Sequence, residues 1–435
     1  MRVVDAVRRH PVQHVAERAQ HHAALVGPGH DIRRTLVPLG PVAVFGASNF
    51  PLAYGVCGGD SASALAAGCS VVVKEHPAHP RTGRLLHSVA ATALASSSAS
   101  HSSSLSRLLS YIPHEDPKDY SVAQQLVQHP VISAVGFTGS IVGGLAVERL
   151  ARERTVPIPA FCEMGSVNPV FITPGAMDAR GEKIADMLAD AVLARFGQQC
   201  TCPGVVFFTK SAMSPAFPAR LRERFKASTF RDMLAPWVRD GYNARINEIE
   251  DSGEAILNAF GEVIARGDPA RNAQAYLWGT DLPRWNSTPV LREECFGPST
   301  IFVMMPTWDD HATALLSGNL TLSIFFDDHD AADTARARSV LNHHARHAGR
   351  IILNGVPTGV RVVPGMVHSG PYPACNRPDT TAVGHHAIAR WCRPVCYQNC
   401  PQALLPEELR DENAHGVTRL VDGMYKQTQS GKSSQ

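Results

Sequence analysis

The stretch Phe196-Gly-Gln-Gln-Cys200-Thr-Cys202-Pro-Gly204 sets a thiol in the middle of a short polar turn. A helix-like run, Ile184 to Phe196, leads into it, and a β-branched and aromatic run, Val205 to Thr209, leads out. A thiol held at such a junction can be exposed and aimed, as a nucleophile requires. A single cysteine is more often a small buried hydrophobe, so the reading of Cys200 depends on what else the chain brings to the same place. Asn49 and Lys74 each lie at the end of a strand-like run, and Ser140 stands where a helix begins, a position whose free N–H groups suit a phosphate.

The elements that carry these residues alternate. Pro41–Gly46 reads as a strand ending in the small, polar loop Ala47-Ser48-Asn49-Phe50-Pro51. A helix over Ser61–Ala67, a buried strand over Ser70–Lys74 and a helix over Arg81–Ala95 follow. The alternation continues with a helix at Val122–His129, a strand at Val131–Phe137, the turn Thr138-Gly139-Ser140 with a helix over Ile141–Arg154, and a strand at Pro157–Phe161 ending at Glu163. Strand–helix–strand alternation is the pattern of a parallel sheet with crossover helices, which binds ligands beyond the carboxyl ends of its strands. Asn49 and Lys74 are thereby expected on one rim. Farther along, strands are expected at 205–209, 299–304, 320–326 and 350–353, with helices at 179–196, 220–225, 243–259 and 331–344. At the start, Pro11–Leu25 reads as a helix. The serine-rich stretch 96–106 reads as a loop of low complexity.

Composition narrows the function classes. The chain has 435 residues, 44% hydrophobic and 18% charged, with a formal net charge of +2. That balance is globular and offers no strong field for nucleic acid or an anionic membrane. Apolar runs stop well short of the ~18 residues of a membrane span. Ten cysteines are scattered rather than set as a disulfide framework. Cys392, Cys396 and Cys400 recur every fourth residue, but Pro394 breaks the helix that would align them, so no metal is expected there. The Arg- and His-rich start could serve as an organelle transit segment, yet it lacks the usual serines and reads as an ordinary helix.

Six motifs, Ser48-Asn-Phe-Pro51, Val73-Lys74, Gly136-Phe-Thr-Gly-Ser140, Glu163-Met-Gly165, Gly197-Gln-Gln-Cys200 and Glu294-Cys-Phe-Gly-Pro298, follow one another across residues 38–360. In order and spacing they resemble the aldehyde dehydrogenase superfamily. The stretches Val37–Pro51, His76-Pro-Ala-His-Pro80, Glu163–Pro169, Asn354-Gly-Val-Pro-Thr-Gly359 and Arg393–Gln398 are most similar to the branch of 2-oxoglutarate semialdehyde (2,5-dioxopentanoate) and NADP-linked fatty aldehyde dehydrogenases. The resemblance implies an α/β fold with a parallel-sheet cofactor domain and an α/β catalytic domain carrying Cys200. It implies a small aldehyde as substrate, oxidised through a thiohemiacetal and a thioester on Cys200, with Asn49 and the Cys200 N–H stabilising the oxyanion and Glu163 as the general base. A long-chain aldehyde, or a retired site kept for binding, are the alternative outcomes, and esterase activity is an expected side reaction.

The resemblance also assigns the cofactor. Lys74 would hold the adenosine ribose, Ser140 with Gly139 the pyrophosphate, and Glu294 the nicotinamide ribose, with Phe296 packed nearby. Gly46, Ser48, His76 and Phe137 complete the expected NAD(P) site. Pro77 stands where NAD-specific members often carry a carboxylate, so NADP is favoured over NAD. Arg292 and Arg361 are candidate anchors for a substrate carboxylate, and Cys202 a candidate redox partner of Cys200. The expected domains are 1–37, an incomplete or remodelled N-terminal helix; 38–163, cofactor-binding; 164–360, catalytic; and 361–435, completing the cofactor domain and oligomer contacts. A cytoplasmic homo-oligomer, dimer or tetramer, is expected.

Overall fold

The structure is a computed structural model that describes residues 16–19, 31–96, 108–114, 116, 118–209, 215–228, 232–254, 273–357, 359–414 and 416–426. Beyond Ser96, the serine-rich stretch lies outside the described residues. Among them are three sheets. The strands, in chain order, are β1 (Ala16–Ala19), β2 (Ile32–Pro38), β3 (Val42–Phe45), β4 (Val71–Lys74), β5 (Leu109–Ile112), β6 (Ala134–Thr138), β7 (Ala160–Glu163), β8 (Pro169–Ile172), β9 (Val205–Thr209), β10 (Tyr276–Asp281), β11 (Ser299–Met305), β12 (Asn319–Phe325), β13 (Ala348–Leu353), β14 (Cys392–Gln398), β15 (Arg419–Val421) and β16 (Met424–Lys426).

The first sheet runs β5-β4-β3-β6-β7, wholly parallel. Its strands are continuous apolar runs because helices cover both faces, among them α1 (Gly59–Ala66), α2 (Pro80–Ala95), α3 (Ser121–Gln128) and α4 (Ile141–Arg152). Strand order reverses between β3 and β6. The crevice beyond their carboxyl ends is the switch point at which such sheets take ligands, and it is bordered by Gly46-Ala47-Ser48 and by Thr138-Gly139-Ser140.

The second sheet runs β10-β11-β9-β8-β12-β13, also parallel. Its fully buried strands, such as Val205–Thr209 and Asn319–Phe325, pack against α5 (Pro174–Leu193) and α6 (Ala216–Lys226) on one face and α7 (Pro236–Ser252) and α8 (Leu282–Ser287), with α9 (Ala331–His344), on the other. The third sheet, β14-β2-β1-β15-β16, is mixed and small.

Three expectations change. Within the stretch Pro11–Leu25, expected to be helical, the described residues Ala16–Ala19 form β1, which pairs with both β2 and β15. The helix before Cys200 does not reach Phe196: α5 ends at Leu193, and Arg195, Phe196 and Gly197 all adopt the left-handed conformation, with φ of 50°, 58° and 69°. The described part of the 243–259 helix belongs to α7 and stops at Ser252, before the αL residue Gly253.

Candidate active site

The carboxyl ends of the first sheet face the amino ends of the second, and the chemistry gathers between them. Glu163 ends β7, while the Cys200 turn enters β9. The turn is fixed by its left-handed approach. Gly197 lies so close to the Gly297 carbonyl that a Cβ there would overlap it, and at φ 69° only glycine is free of the usual steric cost.

Side chains then clamp the turn. Asn168, fully buried and itself left-handed at φ 55°, donates from Nδ2 to the carbonyls of Cys200 (2.8 Å) and Cys202 (3.0 Å). Its Oδ1 accepts from Thr321 Oγ1 at 2.9 Å, tying the turn to β12. Asn319, the first residue of β12, accepts from the main-chain N–H groups of Val167 and Asn168, each at 2.9 Å. Asn49 donates from Nδ2 to the Gln198 carbonyl at 3.1 Å, which leaves its second N–H for a ligand. The Arg195 guanidinium lies 4.4 Å from the centre of the Phe50 ring, closing the same latch from the other side.

Cys200, Glu163 and Asn49 are therefore brought together, and a residue the sequence reading missed joins them. His368 Nε2 lies 3.7 Å from Cys200 Sγ and 2.9 Å from Glu163 Oε1. The 2.9 Å approach is not an aligned hydrogen bond, and both buried Glu163 oxygens are without one. His368 is held by its backbone: its N–H donates to Thr381 Oγ1 (2.9 Å) and its carbonyl accepts from Ala382 (2.9 Å). Only its position just before Ser369-Gly-Pro-Tyr372 could have drawn attention to it in the sequence. Burial pushes the Cys200 thiol well above its ordinary pKa, and the Glu163 and Glu294 carboxylates push it further, with Arg350 pulling the other way. The resting group is a thiol. Tyr54 adds a buried hydroxyl without a hydrogen-bond partner, its ring 5.9 Å from that of His368.

Cys202 packs into the core beside α5, whereas Cys200 packs beside Leu320, Ala374 and Cys375. All ten cysteines are free. Arg292 is occupied by the carbonyls of Trp285 and Asn286, both at 2.7 Å, and Arg361 is exposed. Two cavities, of about 380 and 680 Å³, lie elsewhere and are lined by none of Cys200, Glu163 and His368.

The expected cofactor residues from Gly46 to Ser140 lie at the carboxyl end of the first sheet, whereas Glu294 and Phe296 precede β11 of the second. Register pairs Phe45 with both Lys74 and Phe137, and Thr138 with Glu163. Gly139 and Ser140 are exposed, and the Ser140 hydroxyl caps α4 by accepting from Gly143 N–H at 3.2 Å. Burial lowers the Lys74 pKa to about 8. Glu294 reaches under the Gly165–Ser166 backbone, where a Cβ on Gly165 would come within 2.7 Å of its Oε2. Burial there raises its pKa to about 8. Phe296 is half-buried. An open helix N-terminus, an amine and a carboxylate on one crevice fit the pyrophosphate and two riboses of a dinucleotide.

The aldehyde dehydrogenase family pattern matches residues 3–362. The chain belongs to the aldehyde dehydrogenase family. Members of this family use NAD or NADP to oxidise aldehydes to acids through a cysteine. This aldehyde dehydrogenase is 40% identical over 410 residues to an alpha-ketoglutaric semialdehyde dehydrogenase of Acinetobacter baylyi, covering 92% of this chain and 74% of that one. Its fold matches a solved lactaldehyde dehydrogenase with a TM-score of 0.73 at 18% identity, covering 92% of this chain and 78% of the other. It also matches a bifunctional proline utilization A protein (TM-score 0.71, 19% identity), covering 91% of this chain but only 38% of that longer protein. No helix among the described residues is long and apolar enough to cross a membrane.

Proposed function

We propose that this aldehyde dehydrogenase oxidises 2-oxoglutarate semialdehyde to 2-oxoglutarate, with NADP preferred. The observation that carries the reading is the meeting of Cys200, His368 and Glu163 beside Asn49. The substrate follows from the semialdehyde-oxidising relative, and it is supported by Arg350, whose charge is felt at both the Cys200 thiol and the Tyr54 hydroxyl. A guanidinium and a hydroxyl near the nucleophile suit the far carboxylate of a dicarboxylic semialdehyde. Arg292 and Arg361 do not have that placement.

In this reading His368 accepts the Sγ proton as sulfur bonds to the aldehyde carbon, and Glu163 steadies the imidazolium. The carbonyl electron pair moves to oxygen, where the second Asn49 N–H and the Cys200 N–H receive it. NAD(P)+, which Lys74, Ser140 and Glu294 would hold, would supply the two-electron acceptor needed for oxidation of the adduct to the thioester. Glu163 then draws a proton from the water that attacks the thioester, and the Cys200 sulfur leaves and is reprotonated. Domain roles follow: residues 38–163 hold the cofactor, 164–360 carry the nucleophile, and 361–435 supply His368 as well as β14, β15 and β16 of the third sheet. The open edges of that sheet, with exposed Met424 and Tyr425 on β16, support a homo-oligomer.

NADP preference rests on the end of β4. No carboxylate stands in residues 76–81. The adjacent Glu75 is turned away, bonded to Arg84, Tyr111 and the His114 N–H. Burial and its neighbours lower the His76 pKa to about 3, so His76 is neutral and the attraction falls to Lys74 and the exposed Arg81.

NADPH formation tests the reading. His368→Gln should lower kcat/KM by ~10²–10⁴-fold, as for loss of a general base, and Cys200→Ser should abolish turnover. Arg350→Met should raise KM for 2-oxoglutarate semialdehyde and leave decanal unaffected. A wild-type enzyme that favours decanal, runs faster with NAD, or forms no NADPH with either aldehyde would overturn it.

A further inference from the structure

Among the described residues, one grouping brings a sulfur, an imidazole nitrogen and a carboxylate oxygen close enough to share an ion. The ligand atoms of Glu163, Cys200 and His368 all lie within 4.8 Å of one another. We propose that these three residues form a zinc site, so that Zn²⁺ is a reversible inhibitor that captures the nucleophile.

The geometry is close to what the metal asks. Zinc takes thiolate sulfur at ~2.3 Å and imidazole nitrogen or carboxylate oxygen at ~2.0–2.2 Å, in a tetrahedron. Those bonds place the donors roughly 3.4–3.6 Å apart. Cys200 Sγ and His368 Nε2 are already 3.7 Å apart, and His368 Nε2 and Glu163 Oε1 2.9 Å. Small side-chain rotations complete the set, and the backbones are already fixed by Asn168 behind Cys200 and by Thr381 and Ala382 around His368.

A second observation points to a cation. Glu163 is 4% exposed, and both of its oxygens are buried without an aligned hydrogen bond. A buried carboxylate in that state is costly unless something positive meets it, and the atom facing it is a nitrogen that is itself a zinc donor. Cys200 is only partly buried as a residue. On binding, the Sγ–H proton passes to solvent as the Zn–S bond forms, His368 donates the lone pair of Nε2, and a water completes the tetrahedron. While the metal is bound, the sulfur pair is committed and no thiohemiacetal can form.

The inference rests on Cys200 being the working thiol, and its test is read without turnover. The purified full chain is titrated with Co²⁺ and followed by sulfur-to-cobalt absorption, and with Zn²⁺ by calorimetry. One equivalent should bind, with the sulfur band present. Cys200→Ser should remove the band, and His368→Gln should weaken binding by more than the ~10–100-fold typical of losing an outer partner of a ligand. A His343→Gln/His347→Gln variant, altering the histidine-lined 380 Å³ cavity, should bind as the wild type does. Circular dichroism checks that each variant is folded. Binding that survives both Cys200→Ser and His368→Gln, or that is lost in the cavity variant, would overturn the site, as would absence of the sulfur band in the wild type. An active enzyme without the band refutes the metal site alone, and metal binding by an inactive enzyme refutes the oxidation reading alone.

Discussion

Glu294 carries a stability signature that its position alone creates. Its carboxyl sits against the Gly165–Ser166 backbone, and burial lifts its pKa from 4.5 to about 8. In the unfolded chain the group ionises near its ordinary value, while in the fold it stays protonated. Below about pH 4.5 both states are neutral there and the full stabilisation is present. It is lost progressively as pH rises from 4.5 to about 8, because the unfolded chain ionises there while the folded protein still holds its proton. Glu294→Gln never carries that charge. Its Tm relative to wild type should therefore climb between pH 4.5 and 8 and level off above. A difference that stays flat across the window would mean that the carboxyl is solvated. Glu294 was legible in the sequence through its motif. His368 was not, since it lies 168 residues from Cys200 in a tail rich in proline and glycine, one of twenty histidines. No local spacing records a contact that long.

At the scale of elements, the left-handed run Arg195-Phe196-Gly197 does the aiming. A helix continued to Phe196, as periodicity suggests, would carry the chain past the Gly297 carbonyl instead of turning it toward Glu163. The local pattern missed it because the turn is fixed by partners from elsewhere: Asn49, Asn168 and the Gly297 carbonyl. Where an element is decided by its own residues, the sequence reading and the fold coincide, as at β9 over Val205–Thr209 and α9 over Ala331–His344. Where pairing decides, as at β1, it fails, because three residues in register with β15 and β2 outweigh helical propensity. Gly197→Ala tests the run. A left-handed alanine costs ~1–2 kcal/mol, and the clash with Gly297 must be relieved by moving the turn. A misplacement of about 1 Å can cost ~10²-fold in rate, so kcat should fall by about that factor while Tm drops only modestly. Stability lost with kcat intact would show that the turn does not position the sulfur.

Across the whole molecule, the tail binds the parts into one site. Residues 374–376 run along β7, where Asn376 accepts from the Cys162 N–H at 2.8 Å and donates to the Ala160 carbonyl at 3.0 Å. Trp391 donates to Ser63 Oγ at 2.7 Å and packs on Phe161, and β14 pairs along the length of β2. At the centre, Arg390 pairs with Asp60 of α1. Both side chains are almost wholly buried, at 4% and 9% exposure, and desolvation raises the Asp60 pKa despite its partner. Such a pair contributes little net stability compared with apolar packing, but losing one member leaves a buried charge uncompensated, at a cost of ~3–5 kcal/mol. Arg390→Met should therefore lower unfolding stability in urea by about that amount, and Asp60→Leu added to it should restore most of the loss. The tail that Arg390 anchors also carries His368 into the site, so Arg390→Met should lower kcat/KM at temperatures where the protein is still folded. A loss below about 1 kcal/mol, the level of an exposed pair, would mean that water reaches Asp60 and that the tail is held by β14 and Trp391 alone.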